Sequence, residues 1–77
     1  MVIYTVFGRQ DCPWCDKATD LLEQKGHGYS YYGIESDPWV RPILKKAGYT
    51  TVPVIFDNKG NEIGGYAELE KHFESIS

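Results

Sequence analysis

The only two cysteines of the chain, Cys12 and Cys15, fall in the stretch GRQDCPWCDK, at the point where one local pattern gives way to another. Before them, Val2 to Phe7 (VIYTVF) is a short β-branched and aromatic run closed by Gly8, and it reads as a buried strand. After them, Pro13 to Lys25 reads as a helix. Cys15, Ala18, Leu21 and Leu22 form one apolar stripe, and Asp16, Lys17, Asp20, Glu23 and Gln24 point away from it. Pro13 suits the first turn, where its missing N–H is not needed. A strand feeding a helix across so short a loop points to an α/β arrangement with the cysteine pair at the junction.

The rest of the chain continues the alternation. Gly26 and Gly28 end the first helix. Tyr29 to Ile34 (YSYYGI) reads as a second strand. A second helix is predicted to reach Ala47, capped by Ser36 or Asp37 and stopped by Gly48. Pro42 conflicts with a start at Pro38, because an interior proline removes a backbone hydrogen bond, so the alternative is a regular helix beginning near Pro42. Val52 to Phe56 reads as a third strand, Asp57 to Asn61 as a tight turn, and Glu62 to Gly64 as a short fourth strand. Tyr66 to Ile76 closes the chain as a helix with Leu69, Phe73 and Ile76 on one face. The order is βαβαββα. The helix between the first two strands predicts a parallel pair, and the turn between the last two predicts a hairpin. The expectation is one domain spanning residues 1–77, built on a four-stranded mixed sheet with helices on both faces. A chain of this size buries only roughly 60% of its unfolded surface, so the core is modest.

A bond between cysteines so close closes a ring too small to restrain the unfolded chain much, which makes a structural staple a poor reading. Reactivity or metal binding is better. Cys12 lies at the N-terminal edge of the helix, where unpaired N–H groups and the positive end of the dipole favour a thiolate. Arg9 adds positive charge nearby. Cys15, one turn further in on the apolar side, is expected to be more buried and less ionised. One sulfur attacks and the other resolves. A thiol with pKa ~8.5 is only a few per cent thiolate at neutral pH, and lowering the pKa to ~5.5 gains roughly 30-fold in thiolate. A Brønsted slope of ~0.4–0.5 removes about as much in nucleophilicity, so the main benefit is a better leaving group, which suits reversible exchange. A structural zinc site needs about four ligands. Only His27 and His72 remain as further candidates, far apart, so no metal site is expected. His27 reads as a loop residue and His72 as a solvated helix residue.

Eight Lys+Arg against eleven Asp+Glu give a net charge of −3. That leaves no basic footprint, so nucleic acid is not an expected partner. MVIYTVF has no basic lead-in, and no apolar run is long enough for a membrane. A cytoplasmic, reducing setting is the expectation, where close cysteine pairs are catalytic, redox-sensing or metal-bound.

CPWC after the first strand, TVP before the third and GGY before the last helix together resemble the glutaredoxin family, over nearly the whole chain and in the same order. The resemblance implies the thioredoxin fold, with the first and third strands central. It implies reduction of protein disulfides and glutathione mixed disulfides, with glutathione as reducing co-substrate and no bound cofactor. Disulfide-containing proteins become the implied partners, ribonucleotide reductase among them, for a monomer. Cys12 matches the nucleophile and Cys15 the resolving cysteine. Trp14 stands where tyrosine is commonest, and an exposed ring beside the sulfur is expected. Arg9 stands where the family has a basic residue for the glycine carboxylate of glutathione; Arg41 and Lys45 are further candidates, while Trp39 reads as packing. Pro53 matches the family's cis-proline, with Val52 offering its backbone to the cysteinyl part and Thr51 beside it. On the residues alone, TVP reads equally well as a strand entrance. Gly64 and Gly65 match the anion site, where N–H groups near Tyr66 and Ala67 hold the γ-glutamyl carboxylate. Ala67 departs from the family's Ser, Thr or Asp, and Glu68 stands where Asp is common. This predicts a missing side-chain oxygen for glutathione and a missing helix cap.

Two further functions compete with the glutathione-dependent enzyme. One is a glutaredoxin-like carrier reduced by thioredoxin reductase. Such proteins tend to lack the proline and the double glycine, and this chain has both. The other is an iron–sulfur cluster carrier, which usually has Gly or Ser after the first cysteine; Pro13 argues against it.

Overall fold

The computed structural model describes residues 3–76, apart from the side chain of Ile76. Val2 in the first predicted strand and the Ile76 side chain on the last helix therefore lie outside the described residues. Four strands and three helices follow in the expected order: β1 (Ile3–Gly8), α1 (Pro13–Gln24), β2 (Gly28–Gly33), α2 (Val40–Lys46), β3 (Val54–Phe56), β4 (Glu62–Gly64) and α3 (Tyr66–Ile76). The strands lie in the order β2-β1-β3-β4. β1 runs parallel to β2 from Ile3 opposite Gly28 to Gly8 opposite Gly33. It runs antiparallel to β3, and β3 runs antiparallel to β4 across an irregularity at Ile55 and Phe56.

Alternate side chains of a strand face opposite sides of the sheet, and this divides the core into two layers. Tyr4, Val6 and Ile55 meet Ala18 and Leu22 of α1 and Leu69 and Phe73 of α3 on one side. Phe7 and Val54 meet Val40 and Leu44 of α2 on the other. Leu22, Val6, Ile55 and Leu69 are fully buried, so each contributes about 1.5–3 kcal/mol relative to exposure. The mixed sheet with helices on both faces is the architecture of thioredoxin-fold proteins.

The boundaries move in three places, each for a physical reason. β2 lies one residue earlier than its apolar run suggests, because pairing with β1 sets its limits. β3 starts at Val54 and not Val52. The Val52–Pro53 bond is cis, and proline has no N–H to give a ladder. α2 starts at Val40, and neither Ser36 nor Asp37 caps it. Asp37 is committed to its own turn: its N–H donates to the Gly33 carbonyl at 2.8 Å, and its Oδ2 accepts from the Gly33 N–H at 3.1 Å. Pro42 then falls in the first turn, where no intrahelical bond is lost.

Trp39 packs edge-on against Tyr32 at 5.0 Å and Phe7 at 6.1 Å while staying half exposed. His72 is not the solvated residue its position suggests. Both histidines are half-buried at the end of the sheet remote from the cysteines. His72 Nε2 lies 3.2 Å from the Tyr4 hydroxyl, and the His27 ring stacks on Phe73 at 5.3 Å.

Candidate active site

The cysteine pair sits where β1 hands the chain to α1. Asp11 adopts φ 53°, a left-handed conformation that Asp tolerates, and so turns the backbone into the helix. Cys12 is then the N-cap, with φ −119° and ψ 95°. The Cys15 N–H donates to Cys12 Sγ at 3.2 Å and to the Cys12 carbonyl at 3.1 Å. The two residues form a disulfide across a Cα–Cα distance of 5.2 Å. Cys15 is wholly buried and Cys12 is 5% exposed, the order expected from the helical stripe. When the bond opens, a thiolate on Cys12 would face the helix dipole and first-turn N–H groups, which stabilise negative charge. Among the described residues, no group of three or more His, Cys, Asp or Glu could hold a metal ion.

The loop ahead of the pair is braced from β2. The Tyr31 hydroxyl donates to the Arg9 carbonyl at 3.1 Å, and the Gln10 N–H donates to Glu35 Oε1 at 3.1 Å. Burial, and then the charges of Asp16 and Glu35, push the Tyr31 phenol up, so it remains a donor. No local sequence pattern signals this brace. It rests on the parallel register that sets Tyr31 opposite Val6.

Two surface clefts share Thr51 and Val52, and one of them reaches Trp14 between the two cysteines. One, of about 570 Å³, is lined by Trp14, Lys17, Thr51, Val52, Pro53, Gly65, Tyr66, Ala67, Glu68 and Glu70. Seven of the sequence candidates thus share a single surface. The other, of about 590 Å³, holds Arg9, Arg41 and Lys45 alongside Tyr49 and Thr50. Trp14 is 54% exposed; its ring lies 5.6 Å from that of Tyr66, with Lys17 Nζ 4.5 Å above it. Burial, and then Glu70, push the Tyr66 phenol up. A further cleft, of about 640 Å³ between Ile3, Phe7, Ile43 and Phe56, lies on the α2 side and contains none of the candidates.

The helix cap expected to be missing is present. Gly65 precedes α3, and its N–H donates to Glu68 Oε1 at 2.7 Å, the returning half of a capping box. Gly64 makes room for it. It has φ +121°, and a methyl carbon built on it would lie 2.8 Å from Glu68 Cγ. Gly64 does not line the cleft itself; it seats the side chain that does. Ala67 offers no side-chain oxygen, as its sequence position suggests. The capping pattern, glutamate three residues after the N-cap, was readable from the sequence and was missed because the N-cap is glycine rather than Ser or Thr.

Taken together, the βαβαββα sheet and a cysteine pair at the start of α1 define a thioredoxin-fold dithiol oxidoreductase. The glutaredoxin family model matches residues 2–60, more than half of the chain. The chain is 37% identical to a glutaredoxin of Pseudomonas aeruginosa over 70 residues, covering 90% of this chain and 79% of that protein. It is 36% identical over 69 residues to the hybrid peroxiredoxin hyPrx5 of Haemophilus influenzae, covering 90% of this chain but only 28% of that longer protein. A crystal structure of buckwheat glutaredoxin in complex with glutathione superposes with a TM-score of 0.77 at 27% identity, covering 94% of this chain and 69% of that one. The chain belongs to the glutaredoxin family of thiol-disulfide oxidoreductases.

Proposed function

We propose that the protein is a glutathione-dependent thiol-disulfide oxidoreductase that reduces protein disulfides and glutathione mixed disulfides. The observation that carries this reading is the continuity of the cleft. It runs from Trp14 beside the disulfide, past Thr51, Val52 and Pro53, to Gly65, Tyr66 and Ala67 at the start of α3. An extended cysteinyl peptide laid along Val52 would present its sulfur to Cys12 and its γ-glutamyl end to the α3 N-terminus. Its glycine carboxylate would face the neighbouring groove of Arg9, Arg41 and Lys45.

In this mechanism the Cys12 thiolate attacks the glutathione sulfur of a mixed disulfide. The protein thiol leaves, taking a proton, and Cys12 becomes glutathionylated. A second glutathione thiolate then attacks that sulfur, releasing glutathione disulfide and restoring the Cys12 thiolate. With a protein disulfide, Cys12 forms the mixed disulfide, Cys15 attacks Cys12, and the substrate leaves as a dithiol. Two glutathione molecules then reduce the Cys12–Cys15 bond. Ribonucleotide reductase is a candidate acceptor, and a reducing, cytosolic compartment suits the dithiol. In this reading the chain works as a single domain and as a monomer.

NADPH oxidation on a small mixed disulfide tests the reading. It is run once with glutathione and glutathione reductase and once with thioredoxin reductase alone. Turnover only with glutathione is expected. Turnover only with thioredoxin reductase would replace this reading with the alternative carrier.

A further inference from the structure

Cys15 faces a difficulty that Cys12 does not. The start of α1 holds charge on Cys12, whereas Cys15 lies one turn further in and is wholly buried. Each time the disulfide opens at Cys12, the Cys15 sulfur leaves as a thiolate, and burial disfavours that charge. The group placed to meet it is the Tyr31 phenol. A methyl carbon built on Gly8 would lie 3.0 Å from Cys15 Sγ, 2.9 Å from Tyr31 Cζ and closer still to the Tyr31 hydroxyl. With no side chain on Gly8, the hydroxyl and the sulfur face one small gap. In the disulfide form the hydroxyl donates to the Arg9 carbonyl at 3.1 Å. A phenol has one proton to donate. A thiolate across that gap competes with the carbonyl for it, and the bond to the charged acceptor is the stronger.

We infer that Tyr31 is the hydrogen-bond donor for Cys15: its hydroxyl turns from the Arg9 carbonyl to the Cys15 sulfur when the disulfide opens. A reducing thiolate bonds to Cys12 Sγ, the Cys12–Cys15 bond breaks, and its electron pair leaves on Cys15 Sγ. The hydroxyl donates to that sulfur, and Cys15 then takes a proton from water. In the reverse direction the same bond stabilises the Cys15 thiolate that closes the ring. The charged and titratable groups around the phenol are Asp16 on α1, Glu35 after β2, Arg9 and Asp11 in the loop, and Tyr29 on β2. Together with Tyr31 they line a cleft of about 360 Å³. Burial, and then Asp16 and Glu35, push the phenol up, so its proton stays on oxygen beside a forming thiolate. The inference rests on Cys12 attacking and Cys15 resolving, and it is independent of glutathione as the reductant.

Tyr31→Phe keeps the half-exposed ring and removes only the hydroxyl. Oxidised protein is mixed with excess dithiothreitol, sampled into an alkylating agent, and the opened form is counted by mass. One dithiothreitol thiolate attacks Cys12, and the second closes on the first, which releases Cys12 and leaves oxidised dithiothreitol. Opening is expected to slow about three- to tenfold in Tyr31→Phe, because a stabilised thiolate is the better leaving group. The same substitution is then made in Cys15→Ser, with Cys12 held in a mixed disulfide with a cysteine peptide. There the slowing is expected to disappear, since no Cys15 sulfur leaves. A loosened loop before Cys12 would slow both reactions alike. Ring closure gives a second readout. Reduced protein is mixed with excess 2-hydroxyethyl disulfide, and the plateau rate of closure is followed against pH. Its midpoint should move to higher pH in Tyr31→Phe, because the Cys15 thiolate has lost a donor. Equal slowing in both backgrounds, no slowing in either, or an unmoved midpoint would overturn the role of Tyr31. A Cys15→Ser protein that forms no mixed disulfide at Cys12 would overturn the order of attack, and the inference with it.

Discussion

A methyl group on Gly8 would have nowhere to go. Built on this backbone, the carbon would lie 2.9 Å from Tyr31 Cζ, closer still to the Tyr31 hydroxyl, and 3.0 Å from Cys15 Sγ. The sulfur is wholly buried and tied into the disulfide, so it cannot yield. The tyrosine is the end that moves, since it is 42% exposed. Swinging it out breaks the 3.1 Å bond to the Arg9 carbonyl, at about 0.5–1.5 kcal/mol. The remaining compression against Cys15 adds about 1–3 kcal/mol, the usual cost of overpacking. Gly8→Ala is therefore expected to cost about 2–4 kcal/mol. In a chain of this size that would lower Tm by roughly 10–25 °C. Urea denaturation of Gly8→Ala, Tyr31→Ala and the double variant measures it. Removing the ring first should make Gly8→Ala cheaper by at least about 1 kcal/mol, because the two positions share one contact. A Gly8→Ala variant within about 0.5 kcal/mol of the parent, or an equal cost in both backgrounds, would refute the reasoning.

Other consequences follow from single contacts. Leu22 is fully buried between sheet and helices, so Leu22→Ala should cost about 2–5 kcal/mol in chemical denaturation and leave a protein near its unfolding threshold. Tyr49 is held up to about 12, first by its hydrogen bond to Glu62. A raised phenol contributes stability that is fully present below the ordinary 10.0 and is lost as the pH rises toward 12. Ultraviolet titration should show that the last tyrosine to ionise moves down in Glu62→Gln. Asp57 is held below the ordinary 3.8 by N–H groups in its turn, that of Asn61 first. The Lys59 and Asn61 N–H groups each lie 2.8 Å from its Oδ1. Its contribution is present above 3.8 and is lost as the pH falls through the lower folded value. Asp57→Asn should therefore narrow the stability gap between neutral and acid solution.

The order of elements was legible because each segment announces itself locally. Cys15, Ala18 and Leu22 repeat at helical spacing, and all three are buried. The cysteine pair was legible for the same reason: Pro13 marks the first turn and places Cys12 at the cap. What the sequence hid depends on distant partners. Tyr31 reaches the Arg9 carbonyl only because β1 and β2 pair in one register, and strand periodicity carries no register between strands. Asp37 looked like a helix cap, but Gly33 claims it first. Glu68 looked like a departure from the family pattern. It is a cap whose partner is a backbone N–H, which no side-chain pattern records. Arg9, Arg41 and Lys45, scattered along the chain, share a groove because the loop after α2 returns beside the loop after β1.

The central claim is that Cys12 attacks and that the cleft beside it takes glutathione. Reduced Cys15→Ser and Cys12→Ser each retain one thiol. Mixing each with glutathione disulfide and quenching in acid allows mass spectrometry to follow the gain of one glutathione. Cys15→Ser is expected to be labelled at least about a hundredfold faster, since its remaining thiol sits at the helix N-terminus while that of Cys12→Ser is wholly buried in the parent fold. Equal rates, or faster labelling of Cys12→Ser, would contradict the account.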